Sequence, residues 1–314
     1  MSSTRRDVRT WLRTRWLELL LSCGLVGVVA WFGVVGYGFL PKPPPMPTPG
    51  PSRFDGEAAY QHVLDQVEFG PRPTGSEAGR KTGDYIIDQL RKYGWKVEAD
   101  SYTYMGTPAR NIVGRAGEGP VAIIGAHYDT RKRADNDPDP AKRSEQVLGA
   151  NDGASGVAVL LELARSLDKE RLSNEIWLTF FDAEDNGGLD GWEFIAGSRH
   201  MAENLRTRPD RVIITDMIGD ADQQIYKERN SSGALQGKIW DIAAKLGYQA
   251  YFVPALKWSM QDDHTPFLER GIPAVDLIDF DYPYWHTTQD TSDRVAPASL
   301  ERVGRVLQVL MEGD

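Results

Sequence analysis

Apolar positions in residues 53–314 follow two spacings that alternate along the chain. Helical spacing predicts helices over 56–67 and 78–93, whereas "KVEADSYTY" alternates as a half-buried strand does. "RNIVGRA" and "VAIIGAHYD" are short apolar runs, the second dense enough for a strand buried on both faces. Residues 149–167 return to helical spacing, and "EIWLTFFDAED" and "RVIITDMIG" predict two more buried strands. Two further helix candidates flank "AVDLIDF", and 297–311 predicts a closing helix. Strands interleaved with helices predict an α/β three-layer sandwich, its mostly parallel central sheet covered by helices.

Residues 1–52 follow a different pattern. "TRRDVRTWLRTRW" gathers Arg5, Arg6, Arg9, Arg13 and Arg15 against Asp7, and residues 19–40 then run without a charge. That run is long enough to span a hydrocarbon core of about 30 Å, with Trp16, Trp31 and Tyr37 placed as interfacial anchors. The arginines precede it, so the positive-inside rule keeps 1–18 cytoplasmic and exports the rest. A cleaved signal peptide is the rival reading; the apolar run is long for one and no A-x-A site follows. "LLSC" before Gly24 has a faint lipoprotein-box look, with Glu18 interrupting the apolar sequence ahead of it. The proline-dense residues 41–52 predict a polyproline spacer. The expected order is a basic tail (1–18), a transmembrane signal anchor (19–40), a linker (41–52) and one catalytic domain (53–314).

Composition narrows the function. The 314 residues are 41% hydrophobic and 26% charged with a net charge of −9, and no basic stripe lies outside the N-terminus, which argues against nucleic acid as a partner. Cys23 is the sole cysteine, so no internal disulfide forms.

Ligands in open α/β sheets bind beyond the carboxyl ends of the strands. His127 and Asp129 end one predicted strand; Asp152 follows what reads as a strand into "GAND"; Glu184 and Asp185 end another, Asp216 a fourth, and the segment after "AVDLIDF" delivers His286. Singly each has an ordinary explanation: an Asp before a helix is usually a cap, a lone His is usually structural, an acidic pair usually sits in a solvated loop. Together they would repel one another unless a cation held them, and imidazole with carboxylate suits zinc. Adjacent residues at a strand end point to opposite sides, so one of Glu184 and Asp185 can bind metal while the other serves as a general base.

The motifs "AHYDT", "GANDGASGVAVLLELA", "FFDAED", "GSRHMA", "DMIG", "QDDHTPFLERGIP" and "YWHTTQDT" occur here in the order found in family twenty-eight of the metallopeptidases. The chain resembles its zinc aminopeptidases and the related glutaminyl cyclases over nearly all of 53–314. The aminopeptidase resemblance implies two zincs: His127 and Asp216 on one, Asp185 and His286 on the other, Asp152 bridging, Glu184 the base. The cyclase resemblance implies one zinc on Asp152, Asp185 and His286, with Glu184 as proton shuttle and Asp216 and Asp262 in its hydrogen-bond network. "QDDHTPFLERG", with Gln261 at its start, Trp285 before His286, and Trp192 upstream of "GSRH" look closer to the cyclases, in which those tryptophans would line the substrate pocket. Core packing is the plain alternative for both tryptophans, and His200 and His264 read as structural.

The resemblance therefore implies an enzyme acting on free peptide N-termini. Its substrates would be peptides or proteins, and its product N-terminal pyroglutamate with ammonia released. The alternatives are hydrolysis of the first peptide bond and an inactive, membrane-tethered binding module.

Overall fold

A computed structural model of the chain describes residues 52–313. The basic tail, the apolar run and nearly all of the linker lie outside the described residues, among which no helix is long and apolar enough to cross a membrane.

Two helices open the described part, α1 (Gly56–Glu68) and α2 (Glu77–Lys92). Each begins at a side-chain cap: Asp55 accepts from the backbone of Glu57 and Ala58, and Ser76 from that of Gly79. Strands β1 (Lys96–Tyr104), β2 (Thr107–Ala116) and β3 (Val121–His127) follow, then helix α3 (Ala154–Ser166) and strand β4 (Glu175–Phe181). Next come α4 (Ala196–Asn204), β5 (Arg211–Asp216), β6 (Ile225–Lys227), α5 (Gly233–Lys245), β7 (Phe252–Leu256), α6 (Thr265–Glu269), β8 (Ala274–Ile278) and α7 (Pro297–Glu312).

The main sheet has six strands in the order β1-β2-β4-β3-β5-β8. β4, β3, β5 and β8 pair parallel, while β2 is antiparallel to both of its neighbours. The sheet is thus mixed, with one strand reversed. β6 and β7 form a separate parallel pair.

Alternate residues of the central strands enter two cores, as the pleat requires. Ile124, Leu178 and Ile213 pack with apolar residues of α1, α2, α3, α5 and α7, whereas Ile123, Trp177 and Ile214 pack with Met201 of α4 and Phe267 of α6. This makes the three layers expected from the pattern. Because β3, β4, β5 and β8 run the same way, their carboxyl ends share one edge, and loops from that edge carry the polar residues of interest.

Two expectations need correction. No strand leads into "GAND": residues 128–153 are a long connection from β3 to α3. Nor does a further helix follow β8 ahead of the closing one: α5 and α6 both precede β8, and the 279–296 connection to α7 holds only a short 3-10 turn, Ser292–Arg294.

Candidate active site

The first residue of α3 is Ala154, and Gly153 before it makes no side-chain cap. Asp152 is therefore not a helix cap, and its carboxylate turns to the sheet edge instead. The small residues around it permit close approach. A Cβ on Gly153 would lie 2.4 Å from the His127 carbonyl and 2.6 Å from its ring, and one on Gly156 would lie 2.3 Å from the Thr215 carbonyl.

Two triads result, His127–Asp152–Asp216 and Asp152–Asp185–His286, each with ligand atoms within 4.8 Å of one another. His127 Nε2 is 3.0 Å from Asp152 Oδ1 and 3.2 Å from Asp216 Oδ1. His286 Nε2 is 2.7 Å from Asp185 Oδ1 and 3.7 Å from Asp152 Oδ2. Asp152 is shared, and the side chains of His127, Asp152, Asp185 and His286 are almost wholly buried, with that of Asp216 slightly more open.

The backbone around these residues is unusual. Ala183, Met217 and His286 adopt φ of 65°, 46° and 56°, a left-handed conformation uncommon without glycine. Each is a site residue or its immediate neighbour, the placement typical of functional strain.

Hydrogen bonds hold the loops in register. Asp129, fully buried, accepts from the backbone N–H of Glu184 at 3.1 Å and of Asp185 at 3.2 Å. His127 Nδ1 lies 3.2 Å from the Asp129 carbonyl, so a proton held there leaves Nε2 free as a ligand. Asp290 accepts from the backbone of Asn151 at 2.9 Å and Asp152 at 3.1 Å, and from the Tyr282 hydroxyl at 2.7 Å. Arg131 donates to the carbonyls of Asp185 at 2.8 Å and Gly187 at 2.9 Å.

A cavity of about 200 Å³ opens onto the triads, lined by Glu184, Asp262, Gln261, Phe280, Trp285 and Phe194 among others. Trp285 stacks on His286 with ring centroids 3.8 Å apart. Trp192 is placed elsewhere: it packs edge-on against Tyr104 at 5.1 Å, beside Ala109, Ala183 and Ala196, and Phe194 takes the cavity wall instead. His200 stacks on Tyr102 and reaches Asp100 at 3.1 Å, while His264 is buried 3.4 Å from Glu228; neither joins the triads.

The donor set fits a zinc ion. Two buried carboxylate oxygens, Asp152 Oδ2 and Asp185 Oδ2, have no hydrogen-bond partner, which is costly for a charged group unless a cation satisfies it. Two carboxylates and an imidazole are a ligand set that leaves zinc an open coordination position.

The profile of peptidase family M28 matches residues 111–311, which take in every residue of both triads. The chain belongs to peptidase family M28. The chain is similar to the glutaminyl-peptide cyclotransferase-like protein of Bos taurus, 27% identical over 288 residues, covering 76% of this chain and 71% of that one. The solved structure of the Bacteroides thetaiotaomicron glutaminyl cyclase is 32% identical, with a TM-score of 0.78, covering 84% of this chain and 99% of that one. A structure from the same organism described as a leucine aminopeptidase precursor gives 32% identity and a TM-score of 0.79, covering 85% and 99%.

Electrostatics in this M28 site reflect crowded carboxylates. Burial, joined by the Asp152 charge, raises the Asp185 carboxyl to about 6. Burial and the neighbouring Asp216 raise Asp262 to about 7. Burial lifts Glu184 well above its ordinary value; the charges of Asp263, Asp185 and Asp262 add to this and His127 opposes it. Asp152 goes the other way: burial would raise it, but the His127 hydrogen bond and the charges of His127, His286 and Arg131 together hold it below the ordinary value.

Several supporting residues escaped the sequence reading. Arg72 is fully buried and donates to the carbonyls of Leu148 and Gly149 at 2.8 Å each, fixing the connection that carries Asp152. Burial lowers its guanidinium to about 10, still a cation at neutral pH. Asp263 and Asp276 are fully buried, and none of their carboxylate oxygens has a hydrogen-bond partner. The second Asp of "QDDH" and the isolated Asp within "AVDLI" were their only signals.

Proposed function

We propose that this chain is a zinc-dependent glutaminyl-peptide cyclotransferase, converting an N-terminal glutamine to pyroglutamate with release of ammonia. One observation carries the choice of a single-metal enzyme. Both triads contain a histidine–carboxylate contact, yet of the triads' own carboxylate oxygens that are buried without a partner, Asp185 Oδ2 belongs to the His286 triad alone and Oδ2 of the shared Asp152 lies on the His286 side, 3.7 Å from its Nε2, while Oδ1 meets His127. The likeness to glutaminyl cyclases supports the reaction class.

Zinc held by Asp152, Asp185 and His286 would act as a Lewis acid toward the side-chain amide carbonyl of the glutamine. The protein residues do the remainder. Trp285, Phe280 and Phe194 enclose a short side chain and limit water. The α-amine attacks the amide carbon of its own residue, so proximity replaces an external nucleophile. Glu184 accepts a proton from that amine and returns it to the departing ammonia; its raised affinity for protons suits this two-way role. Asp216 and Asp262 border the same cavity, placed to orient the relay, and Gln261 sits at its mouth.

The second triad supports one alternative. His127, Asp216 and the shared Asp152 would hold a second metal, and a two-zinc aminopeptidase would use Glu184 to activate water for hydrolysis of the first peptide bond. Ammonia release from a glutaminyl peptide, run beside a leucyl chromogenic substrate, separates the two. Ammonia with little leucine release is expected; rapid leucyl cleavage without ammonia overturns the cyclase reading. A protein purified with no zinc and inert to both substrates would be a binding module.

Localisation belongs to the same proposal. The arginines of residues 1–18 and the uncharged 19–40 support a single-pass anchor with a cytoplasmic N-terminus, the proline-rich 41–52 holding the catalytic domain outside the membrane. Protease added to intact cells should digest the domain. Cleavage only after rupture would reverse the orientation, and a mature N-terminus well beyond Gly38 would make the segment a cleaved signal.

A further inference from the structure

Gln261 and Phe194, at the mouth of the metal-side cavity, also line a second cavity of about 240 Å³. Its other walls come from β1 (Tyr102, Tyr104), from the loop before α4 (Glu193) and from α4 itself (Arg199, His200, Glu203). The walls are firmly built. The Tyr102 hydroxyl donates to the Asp182 carbonyl at 2.8 Å, the Tyr104 hydroxyl accepts from the Glu193 backbone at 3.3 Å, and Trp192 braces Tyr104 from behind.

Two carboxylates, Glu193 and Glu203, line this cavity against one guanidinium, Arg199, which feels both of their charges. Arg199 is engaged by Glu269 at 2.7 Å, and His200 by Asp100 at 3.1 Å. Among the described residues no ion pair holds the exposed carboxylates of Glu193 and Glu203. Aromatic rings (Tyr104, Phe194 and the face of Tyr102 that His200 leaves open) line this cavity together with the two carboxylates, a combination that suits a cationic side chain, whose alkyl stem packs on rings while its head meets the charge.

We propose that this groove receives the peptide residues following the N-terminal one, and that Glu193 and Glu203 make it favour lysine or arginine there over acidic residues. The inference rests on the reading of the site as one for peptide N-termini. A reaction confined to the first residue must let the rest of the chain leave the metal-side cavity, and the side chains shared by the two cavities mark a continuous route.

The test uses the zinc-loaded full-length chain on Gln-Lys-Ala, Gln-Ala-Ala and Gln-Glu-Ala. The lysyl peptide should exceed the glutamyl one in kcat/KM by roughly two- to fivefold, the range for interactions between exposed charges. The difference should lie in KM, as for binding made equally in ground and transition states, and should shrink at high salt. Glu193→Gln with Glu203→Gln should bring the lysyl-to-glutamyl ratio close to one, and Glu193→Lys with Glu203→Lys should invert it. Both residues are exposed, and thermal melting checks the fold of each variant. A wild-type ratio of one, or a ratio that both double variants leave unchanged, overturns the groove while the reading of the site stands. If only the leucyl counterparts of the peptides react, the same ratios are read on them, because the groove serves either reaction. No turnover of either series overturns the reading of the site and the groove with it.

Discussion

Replacing Gly156 with alanine should destabilise the protein, although the same change in an open helix stabilises it. Alanine is better than glycine inside a helix by about 1 kcal/mol. Gly156 lies in α3, where a Cβ would meet the Thr215 carbonyl at 2.3 Å and the Ala126 methyl at 2.9 Å. Both neighbours belong to central strands that have no room to retreat. Overpacking of that kind costs about 1–3 kcal/mol, and the upper end applies to contacts with fixed backbone, leaving a net loss of about 2 kcal/mol after the helix gain. For a domain of this size that is a fall in Tm of roughly 4–8 °C. Gly237, in α5, is the internal control: nothing lies within 4 Å of its Cβ position, so Gly237→Ala should gain about 1 kcal/mol. The functional reading follows from the neighbours' identity. Ala126 precedes His127 and Thr215 precedes Asp216, so the wedge also spreads the triads, and zinc affinity by chelator competition should fall roughly tenfold. Denaturant melts of both variants decide the matter. If Gly156→Ala proves as stable as the parent, the close approach of α3 to β3 and β5 is wrong.

Glu184→Gln should keep its zinc, since no triad includes that side chain, and lose about 10²–10⁴-fold in turnover; metal analysis of the inactive variant checks the separation. Asp152→Ala, Asp185→Ala and His286→Ala should each lose both zinc and activity, whereas His127→Ala should be milder in a one-zinc enzyme. Two zincs in the parent, falling to one in His127→Ala, would favour the aminopeptidase. Zinc binding should weaken as pH falls through about 6, because the raised Asp185 carboxyl then takes a proton that competes with the metal. Calorimetric titration at pH 5 and pH 7.5 measures this, and tighter binding at pH 5 would refute it.

Much of the fold was readable because its central strands are apolar runs too short for helices. "VAIIGAH" and "EIWLTFF" fulfil that pattern as β3 and β4, buried along nearly their whole length. Helix α4 was missed because "AGSRHMAEN" carries little apolar periodicity and its N-cap position, Ile195, makes no side-chain cap. The β6–β7 pair was missed because one strand has three residues and the other contains Pro254. Within the site, residue types pointed to the five side chains that the structure brings together, although only His127, Asp185 and Asp216 sit at or just past strand ends, while Asp152 and His286 come from long connections. Spacing alone does not tell which way a loop folds. Trp192 and Phe194 sit two residues apart in one loop, yet only Phe194 faces the metal-side cavity. The sequence allows Asp152 to be a cap as well as a ligand, and only the start of α3 two residues later rules out the cap.

The bonds to Asp290 reach beyond geometry. This carboxylate belongs to the segment that also carries His286, and it grips the backbone of Asn151 and Asp152. Two ligands from distant parts of the sequence are thereby tied to each other by protein alone, and Arg131 secures the loop of the third, Asp185. Small zinc domains spend their metal affinity on folding and come apart in a chelator. Here the sheet and these clamps set the ligands beforehand, so loading becomes an event separable from folding. A chain built this way should keep its fold when a chelator takes its ion away.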